Sequence, residues 1–337
     1  MRYVIIGAGA VGGLIGGRLH QYGSDVALVA RGAQYEALRT RGLRLDDPDD
    51  TVTLDVPVHA HVSDVDWRAD DVAILAMKSQ DTVPALDDLV VSAPPDLPIV
   101  CAQNGVENER QALRRFPFVY AMHVMCPATY LEPGVVQARS APISGLLDIG
   151  RYPQGVDTVV EQVTAELSGA SFDSRPMTDI MRWKYAKLLL NLANAVQIVF
   201  PHDDLDRAGA EIATRARDEG VACLEAAGIP FASREEDEAR RGDLLSVRPV
   251  GDQPRTGSST WQSVARGAGS VETDYLNGEI VLLGRLHRVP TPVNALLQRL
   301  AADVAAGRLP AGGISQDEFF ERLTANTDSQ RPPSNVR

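Results

Sequence analysis

Cysteine is almost missing from this chain of 337 residues. The three that occur, Cys101, Cys126 and Cys223, are scattered, odd in number and never spaced as CxxC. That argues against a disulfide framework or a zinc knuckle and fits a reducing cytosol. Positive charge is short as well. Thirty-three Lys and Arg stand against 45 Asp and Glu, for a formal net charge of −12. An acidic surface repels phosphate polymers and anionic lipid, so nucleic-acid and membrane partners are not expected. Long apolar runs are absent too. The run Leu188-Leu189-Leu190 is bounded by Lys187 and Asn191, and nothing in the sequence is expected to span a membrane. The N-terminal apolar run is short and ends in glycines, unlike a signal peptide, so a cytoplasmic location is expected. His59 and His61 could share a strand face, but no third ligand accompanies them and no metal is expected. No internal repeat occurs.

What is present is apolar residue in quantity: 44% of the chain, ample for a core, over a length that suggests about two domains. The first half alternates short apolar runs with amphipathic ones. Strands are predicted at 3–6, 25–30, 71–77, 98–102 and 118–124, and helices at 14–22, 34–41, 82–91 and 108–116. Buried strands alternating with helices predict an α/β fold, a doubly wound parallel sheet covered on both faces. The alternation in 51–62 adds strand, and a meander over 128–149 is expected to finish the sheet. From residue 178 the pattern is helical, with helices expected at 178–199, 205–227, 233–245, 271–287 and 291–306. The domains predicted are 1–170, nucleotide-binding; 171–324, all-helical; and a disordered tail over 325–337. A cleft between two such domains is the default ligand site.

Immediately after Tyr3-Val4-Ile5-Ile6 comes Gly7-Ala8-Gly9-Ala10-Val11-Gly12. Strand, GxGxxG turn and helix in that order form the Rossmann-type dinucleotide fingerprint, which holds a pyrophosphate at a helix N-terminus. The second strand ends in Arg31-Gly32, where an acidic residue would select NAD. Arg31 offers a cationic fork suited to a 2′-phosphate, so NADP(H) is expected. The same residue could be an ordinary solvated loop cation.

In the predicted helix over 178–199, Lys187, Asn191 and Asn194 stand at i, i+4 and i+7 and share a face, while leucines cover the rest. Buried amides and a buried ammonium need partners, which a polar ligand would supply. Lys187 is a plausible proton donor; the bland alternative is a snorkelling lysine beside packing amides, as Lys184 appears from spacing. Glu272 is expected in a helical first turn capped by Ser270, and Ser258 and Ser259 in a loop. The run Arg234–Glu238 with Arg240 and Arg241 reads as a salt-bridged, solvated helix face.

Taken together, these segments resemble the ketopantoate reductase (2-dehydropantoate 2-reductase) family over nearly the whole chain, to about residue 300. The matching elements are Gly7, Gly9, Ala10 and Gly12; Arg31-Gly32; Lys78 in Ala76-Met77-Lys78-Ser79-Gln80; Gln103-Asn104-Gly105; Lys187 with Asn191; Ser259; and Glu272 opening Glu-x-Asp-Tyr-x-Asn-Gly. The resemblance implies NADPH-dependent reduction of a 2-oxo acid, with ketopantoate to pantoate as the leading case. It implies that residues Gly7, Ala8, Gly9, Ala10, Val11 and Gly12 cradle the pyrophosphate and that Arg31 holds the 2′-phosphate. Lys78 and Asn104 would lie along the nicotinamide half. Lys187 would be the general acid. Asn191, Asn194 and Ser259 would bind substrate, and Glu272 would orient a substrate or ribose hydroxyl. The expected partner is a small-molecule 2-oxo acid, and the expected assembly a homodimer.

The sequence departs from the family pattern on the substrate side. Position 195 is Ala, and the second amide is Asn194, one residue early; on a regular helix that rotates a side chain by about 100°. No Pro follows it, Tyr185 replaces a Trp, and the gap from Ser259 to Glu272 is one residue longer. A relative acting on another 2-oxo acid or ketone, or a protein that senses NADP(H) without turnover, are the competing readings. Retention of Lys187, Asn191 and Glu272 favours the enzyme. An opine-type dehydrogenase would need a helical His as acid–base, and none is suitably placed.

Overall fold

The computed structural model describes residues 1–201, 209–251 and 257–329. The first half builds β1 (Arg2–Ile6), α1 (Ala10–Tyr22), β2 (Asp25–Val29), α2 (Gly32–Arg41), β3 (Leu43–Asp46), β4 (Thr51–Leu54), β5 (Val58–His59), β6 (Asp71–Leu75), α3 (Thr82–Ser92), β7 (Ile99–Cys101), α4 (Asn108–Leu113) and β8 (Val119–Met125). Then come β9 (Ala128–Thr129), β10 (Val135–Ala138), β11 (Gly145–Arg151), α5 (Thr158–Gly169) and β12 (Phe172–Asp173). The remainder is helical: α6 (Ile180–Asn191), α7 (Val196–Val199), α8 (Ala210–Ala226), α9 (Arg234–Arg241), α10 (Ser259–Ala265), α11 (Asn277–His287), α12 (Pro292–Ala305) and α13 (Gln316–Ser329). Expected segments that include residues 202–208, 252–256 and 330–337 lie partly outside the described residues.

Two compact units result: Met1–Lys187 with Phe231–Thr256, and Leu188–Pro230 with Gly257–Arg337. The boundary falls inside α6, between Lys187 and Leu188.

In the first unit an eight-stranded sheet runs β12-β11-β8-β7-β6-β1-β2-β5 and is parallel except for the β8–β11 pair. Period-two alternation divides β1 between two cores. Tyr3 and Ile5 join Leu14, Ile15, Leu19, Val160 and Val163 on one face; Val4 and Ile6 join Leu86, Leu89, Ala112 and Phe116 on the other. Both faces are therefore covered, as the continuous apolar runs required.

The expected continuation of this sheet is only partly realised. β11 joins it, antiparallel to β8, but β9, β10 and β4 form a separate four-stranded sheet with β3, in the order β4-β3-β10-β9. The reason lies on α1, whose glycines expose two close-packing surfaces. A Cβ on Gly16 would strike Leu28 of the large sheet at 2.6 Å; one on Gly13 would strike Val136 of the small sheet at 2.8 Å. The small sheet therefore packs on the side of α1 that the large sheet leaves free.

α9 also belongs to this unit and not to the second. Its charge run is not wholly solvated: Asp237 and Arg240 are buried. Arg240 Nε and Nη2 donate to Asp148 Oδ2 and Oδ1 at 2.8 and 2.6 Å, a bidentate pair that docks the helix on β11.

The second unit is helical. Glu219 on α8 accepts from the backbone N–H groups of Val293 (2.8 Å) and Asn294 (2.9 Å) and so caps α12 from another helix. Asn294 Nδ2 donates to Glu219 and to the Ala216 carbonyl. Asn277 Nδ2 donates to Asn294 Oδ1 at 3.0 Å and to the Leu192 carbonyl at 3.2 Å. That last bond takes the acceptor that a continuous helix would offer to residue 196. The single helix expected over 178–199 is accordingly broken. α6 ends at Asn191, Leu192–Asn194 is a 3₁₀ turn, and α7 follows.

Candidate active site

β1 lies between β2 and β6, all three parallel, so the loops that follow these strands adjoin one another at the carboxyl end of the sheet. The glycine loop follows β1. Gly7 adopts φ +99°, and a Cβ there would meet Met77 N at 2.6 Å. A Cβ on Gly12 would meet the Gly7 carbonyl oxygen at 2.2 Å and Ala76 Cβ at 2.8 Å. The protein itself demands these two glycines. Gly9 differs: its nearest neighbour would be Tyr130 Cδ1, at 3.9 Å. A Cβ at Gly9, the N-cap position of α1, would thus make no more than an ordinary contact, and no side chain caps that helix. An uncapped helix start on a bare glycine backbone fits a pyrophosphate. Gln34 steadies this loop, donating to the Ala8 carbonyl at 2.6 Å and accepting from Gly134 N–H at 2.7 Å.

Arg31 follows β2 and is exposed, with Nη2 3.1 Å from Asp81 Oδ1. Lys78 stands just before the 3₁₀ turn Ser79–Asp81 that follows β6. Asn104 lies in the loop after β7, its carbonyl accepting from Asn108 Nδ2 (3.0 Å) and Ser79 Oγ (3.3 Å). Gln103, Thr82 and Asn108 extend this into a buried network, with Gln103 Nε2 to Thr82 Oγ1 at 2.7 Å and Thr82 Oγ1 to Asn108 Oδ1 at 2.8 Å. The expected cofactor-side residues of the first unit thus all sit on loops or in the first turn of α1, at one end of one sheet.

Lys187 is half-buried on α6. One turn earlier on that helix, Lys184 is not the snorkelling lysine expected from spacing. Only 4% of it is exposed, and its ammonium donates to the fully buried Glu109 carboxylate and to the Gln103 carbonyl at 3.0 Å. This ion pair ties α6 to the loop bearing Asn104. Breaking it by removing one partner would strand a buried charge.

His123 on β8 is buried beside the same helix, its ring 6.1 Å from that of Trp183. Its Nδ1 stands 3.9 Å from Asp148 Oδ2, too far for a hydrogen bond, because Arg240 and the Arg175 N–H already engage that carboxylate. Burial holds the imidazole below its ordinary pKa. The Asp148 carboxylate opposes this, and the Lys187 ammonium adds to it. The native state therefore binds a proton at His123 less readily than the unfolded chain. Stability should be fully present above about pH 6.5 and fall as pH drops toward the depressed native value. Urea midpoints between about pH 7 and 5 should show this slope in the wild type and a flatter one in His123→Gln. An equal slope in both would remove His123 as its origin. Burial also pushes the neighbouring Cys126 thiol up to about 12, so it stays protonated.

In the second unit, Asn191 ends α6 with a buried Nδ2 that has no hydrogen-bond partner among the described residues. Asn194 closes the 3₁₀ turn. Three 3₁₀ residues advance about 6 Å and one full turn, much as four α-helical residues advance about 6 Å and slightly more than a turn. On ideal 3₁₀ geometry Asn194 would therefore stand over Asn191, near the height of an i+4 residue of a regular helix. α10 packs against this turn and against α7. Ser258 is its N-cap, accepting from Trp261 N–H at 3.4 Å, and Ser259 opens the helix, so neither is a plain loop residue. Glu272 is buried in a 3₁₀ turn, Glu272–Tyr275, preceded by Val271; Ser270 is not its cap.

Sequence reasoning missed Glu109, Lys184, Gln34, His123 and Asp81. The one local signal was that Lys184 shares the helix face of Lys187 and Asn191.

Comparison with known proteins identifies the family. Residues 3–154 match the family model for ketopantoate reductase PanE/ApbA, and residues 179–305 match its C-terminal model. The 2-dehydropantoate 2-reductase of Pyrococcus horikoshii is 30% identical over 312 residues, covering 89% of this chain and 96% of that protein. The Halobacterium salinarum enzyme of the same name is 30% identical over 307 residues, covering 87% and 95%. Among solved structures, a PanE/ApbA family ketopantoate reductase from Ralstonia eutropha superposes with a TM-score of 0.77 at 27% identity, over 91% of this chain and 99% of that one. D-mandelate dehydrogenase, solved with NADH and anilino(oxo)acetate, shares the fold with a TM-score of 0.78 at 21% identity and the same coverage. No helix among the described residues is long and apolar enough to cross a membrane. The chain belongs to the ketopantoate reductase family and is an oxidoreductase.

Proposed function

We propose that this protein reduces a 2-oxo acid to the 2-hydroxy acid with NADPH, 2-dehydropantoate to pantoate being the leading case. The observation that carries the reading is the unpartnered, buried Asn191 amide one helical turn from Lys187. A buried donor without an acceptor is rare in a folded protein, and a substrate oxygen would satisfy it. Asn194, over Asn191 on an ideal 3₁₀ turn, would add a second amide, with Ser259 on the adjoining α10. This would compensate for the one-residue shift in sequence. The glycine loop with Ala8, Ala10 and Val11 would hold the pyrophosphate, Arg31 the 2′-phosphate, and Lys78 and Asn104 the nicotinamide half. Glu272 would orient a substrate or ribose hydroxyl. When bound there, the cofactor would supply a hydride for the carbonyl carbon. Lys187 polarises the carbonyl, then gives its Nζ proton to the oxygen as negative charge develops there.

The deciding experiment is loss of NADPH absorbance with a panel of 2-oxo acids, ketopantoate first and an aryl 2-oxo acid among them. Turnover of ketopantoate faster with NADPH than with NADH is expected. Oxidation by another member of the panel alone would move the substrate. NADPH binding with no turnover of any 2-oxo acid would mean a sensor instead of an enzyme.

A further inference from the structure

The loops after β2 and β6 flank the glycine loop. Arg31 and Asp81 meet there, with Nη2 to Oδ1 at 3.1 Å. Both remain open to solvent, the Arg31 side chain 69% exposed and that of Asp81 38%. Each residue occupies the N-cap position of a helix, Arg31 before α2 and Asp81 before α3, and neither side chain caps it. An aspartate in that position ordinarily accepts from the N–H groups of the first turn. Asp81 instead turns its carboxylate to the one guanidinium expected to meet the cofactor's adenosine end.

We propose that Asp81 is a specificity-determining residue: it competes with the adenosine 2′-phosphate for Arg31 and thereby weakens selection of the phosphorylated cofactor. The inference rests on Arg31 being the phosphate-binding cation. A 2′-phosphate arriving at Arg31 brings up to two negative charges next to a carboxylate already in contact with the same fork. The guanidinium has donors enough for both anions, but only with like charges side by side. A cofactor carrying a 2′-hydroxyl brings no charge to that point, so the carboxylate penalises the phosphorylated form selectively. Because the pair is exposed, the penalty is modest and is screened by salt.

The test is calorimetric titration of the full chain with adenosine 2′,5′-bisphosphate and with adenosine 5′-monophosphate, which differ only in the 2′-phosphate. Asp81→Asn keeps the size of the side chain and removes its charge; Asp81→Ser is a second variant should the first fold poorly. Either should bind the bisphosphate about three- to tenfold more tightly and the monophosphate about as before, with the gain shrinking as salt rises. In an Arg31→Ala background the gain should vanish. Unchanged or weaker bisphosphate binding, or an equal gain for both ligands, would overturn the role of Asp81. Arg31→Ala alone tests the underlying reading. If it leaves the ratio of the two affinities unchanged, Arg31 does not read the phosphate. If it collapses the ratio while Asp81→Asn does not raise it, only the role of Asp81 is wrong.

Discussion

Alanine at Gly9 is expected to leave the protein folded and to weaken binding of the nicotinamide cofactor by at least about 100-fold. Alanine at Gly12 is expected to cost the fold itself. The two positions lie three residues apart in one motif, yet their surroundings differ. A Cβ on Gly9 meets nothing closer than 3.9 Å, and the backbone there, φ −86° and ψ −150°, suits a non-glycine residue. The lost chain flexibility and the poorer helix start largely offset, leaving native stability within about 1 kcal/mol of wild type. The added methyl instead occupies the space that a pyrophosphate needs above the α1 N-terminus. At Gly12 the methyl would lie 2.2 Å from the Gly7 backbone oxygen, with Ala76 Cβ at 2.8 Å and Ile5 Cγ2 at 3.1 Å leaving little room to relax. Overpacking of that kind costs about 3 kcal/mol or more. Thermal unfolding and equilibrium cofactor titration of both variants separate the effects. Cofactor affinity within tenfold of wild type in Gly9→Ala would show that the pyrophosphate does not approach this glycine.

Why some of this was legible in the sequence and some was not follows from sequence separation. The strands at Arg2–Ile6, Asp25–Val29 and Asp71–Leu75 are buried on both faces, so they appear as uninterrupted apolar runs and declare themselves locally. The alternation around residues 51–54 announces a strand too, but not its partner. That β4 and β10 leave the main sheet depends on the glycine surface of α1, which no period in 51–62 or 128–149 encodes. The charged α9 hid its buried arginine because the partner, Asp148, lies 92 positions away. Lys184 resembled a surface lysine because Glu109 lies 75 positions away.

The same holds at the candidate site. The glycine loop and Arg31 were legible because a strand, a turn and a helix start are local events. Asn194 was not. Helical periodicity placed it at i+7 from Lys187 on a continuous helix, whereas a carbonyl bond from Asn277, 85 positions away, accompanies a change in winding at Leu192. The local change in rise and turn, from about 1.5 Å and 100° per residue to about 2 Å and 120°, sets where this amide stands. No substitution pattern in the segment Leu188–Val196 would reveal it.

Lys187→Ala is expected to lower turnover by about 10²- to 10⁴-fold while cofactor still binds. The size of the effect depends on what else nearby could donate a proton. His123 and Cys126, among the described residues, feel the charge of Lys187. His123 is held neutral by burial, and the Cys126 thiol, at about 12, is a weak acid near neutrality. Both are therefore poorer proton donors near neutrality than the ammonium, and a large loss of rate is expected. Cofactor binding should survive because the glycine loop and Arg31 are on other elements. Lys187→Arg separates two roles that the ammonium combines. Guanidinium keeps the positive charge that polarises a carbonyl but gives up no proton near neutrality. If proton donation dominates, Lys187→Arg should be nearly as slow as Lys187→Ala; if charge dominates, it should recover much of the rate. Added alkylammonium ions should rescue Lys187→Ala and not Lys187→Arg, because only the truncated side chain leaves room for them. Turnover within tenfold of wild type in Lys187→Ala would show that the proton comes from elsewhere. The depressed His123 would then be the first group to replace, since loss of the Lys187 charge removes one of the forces holding it neutral.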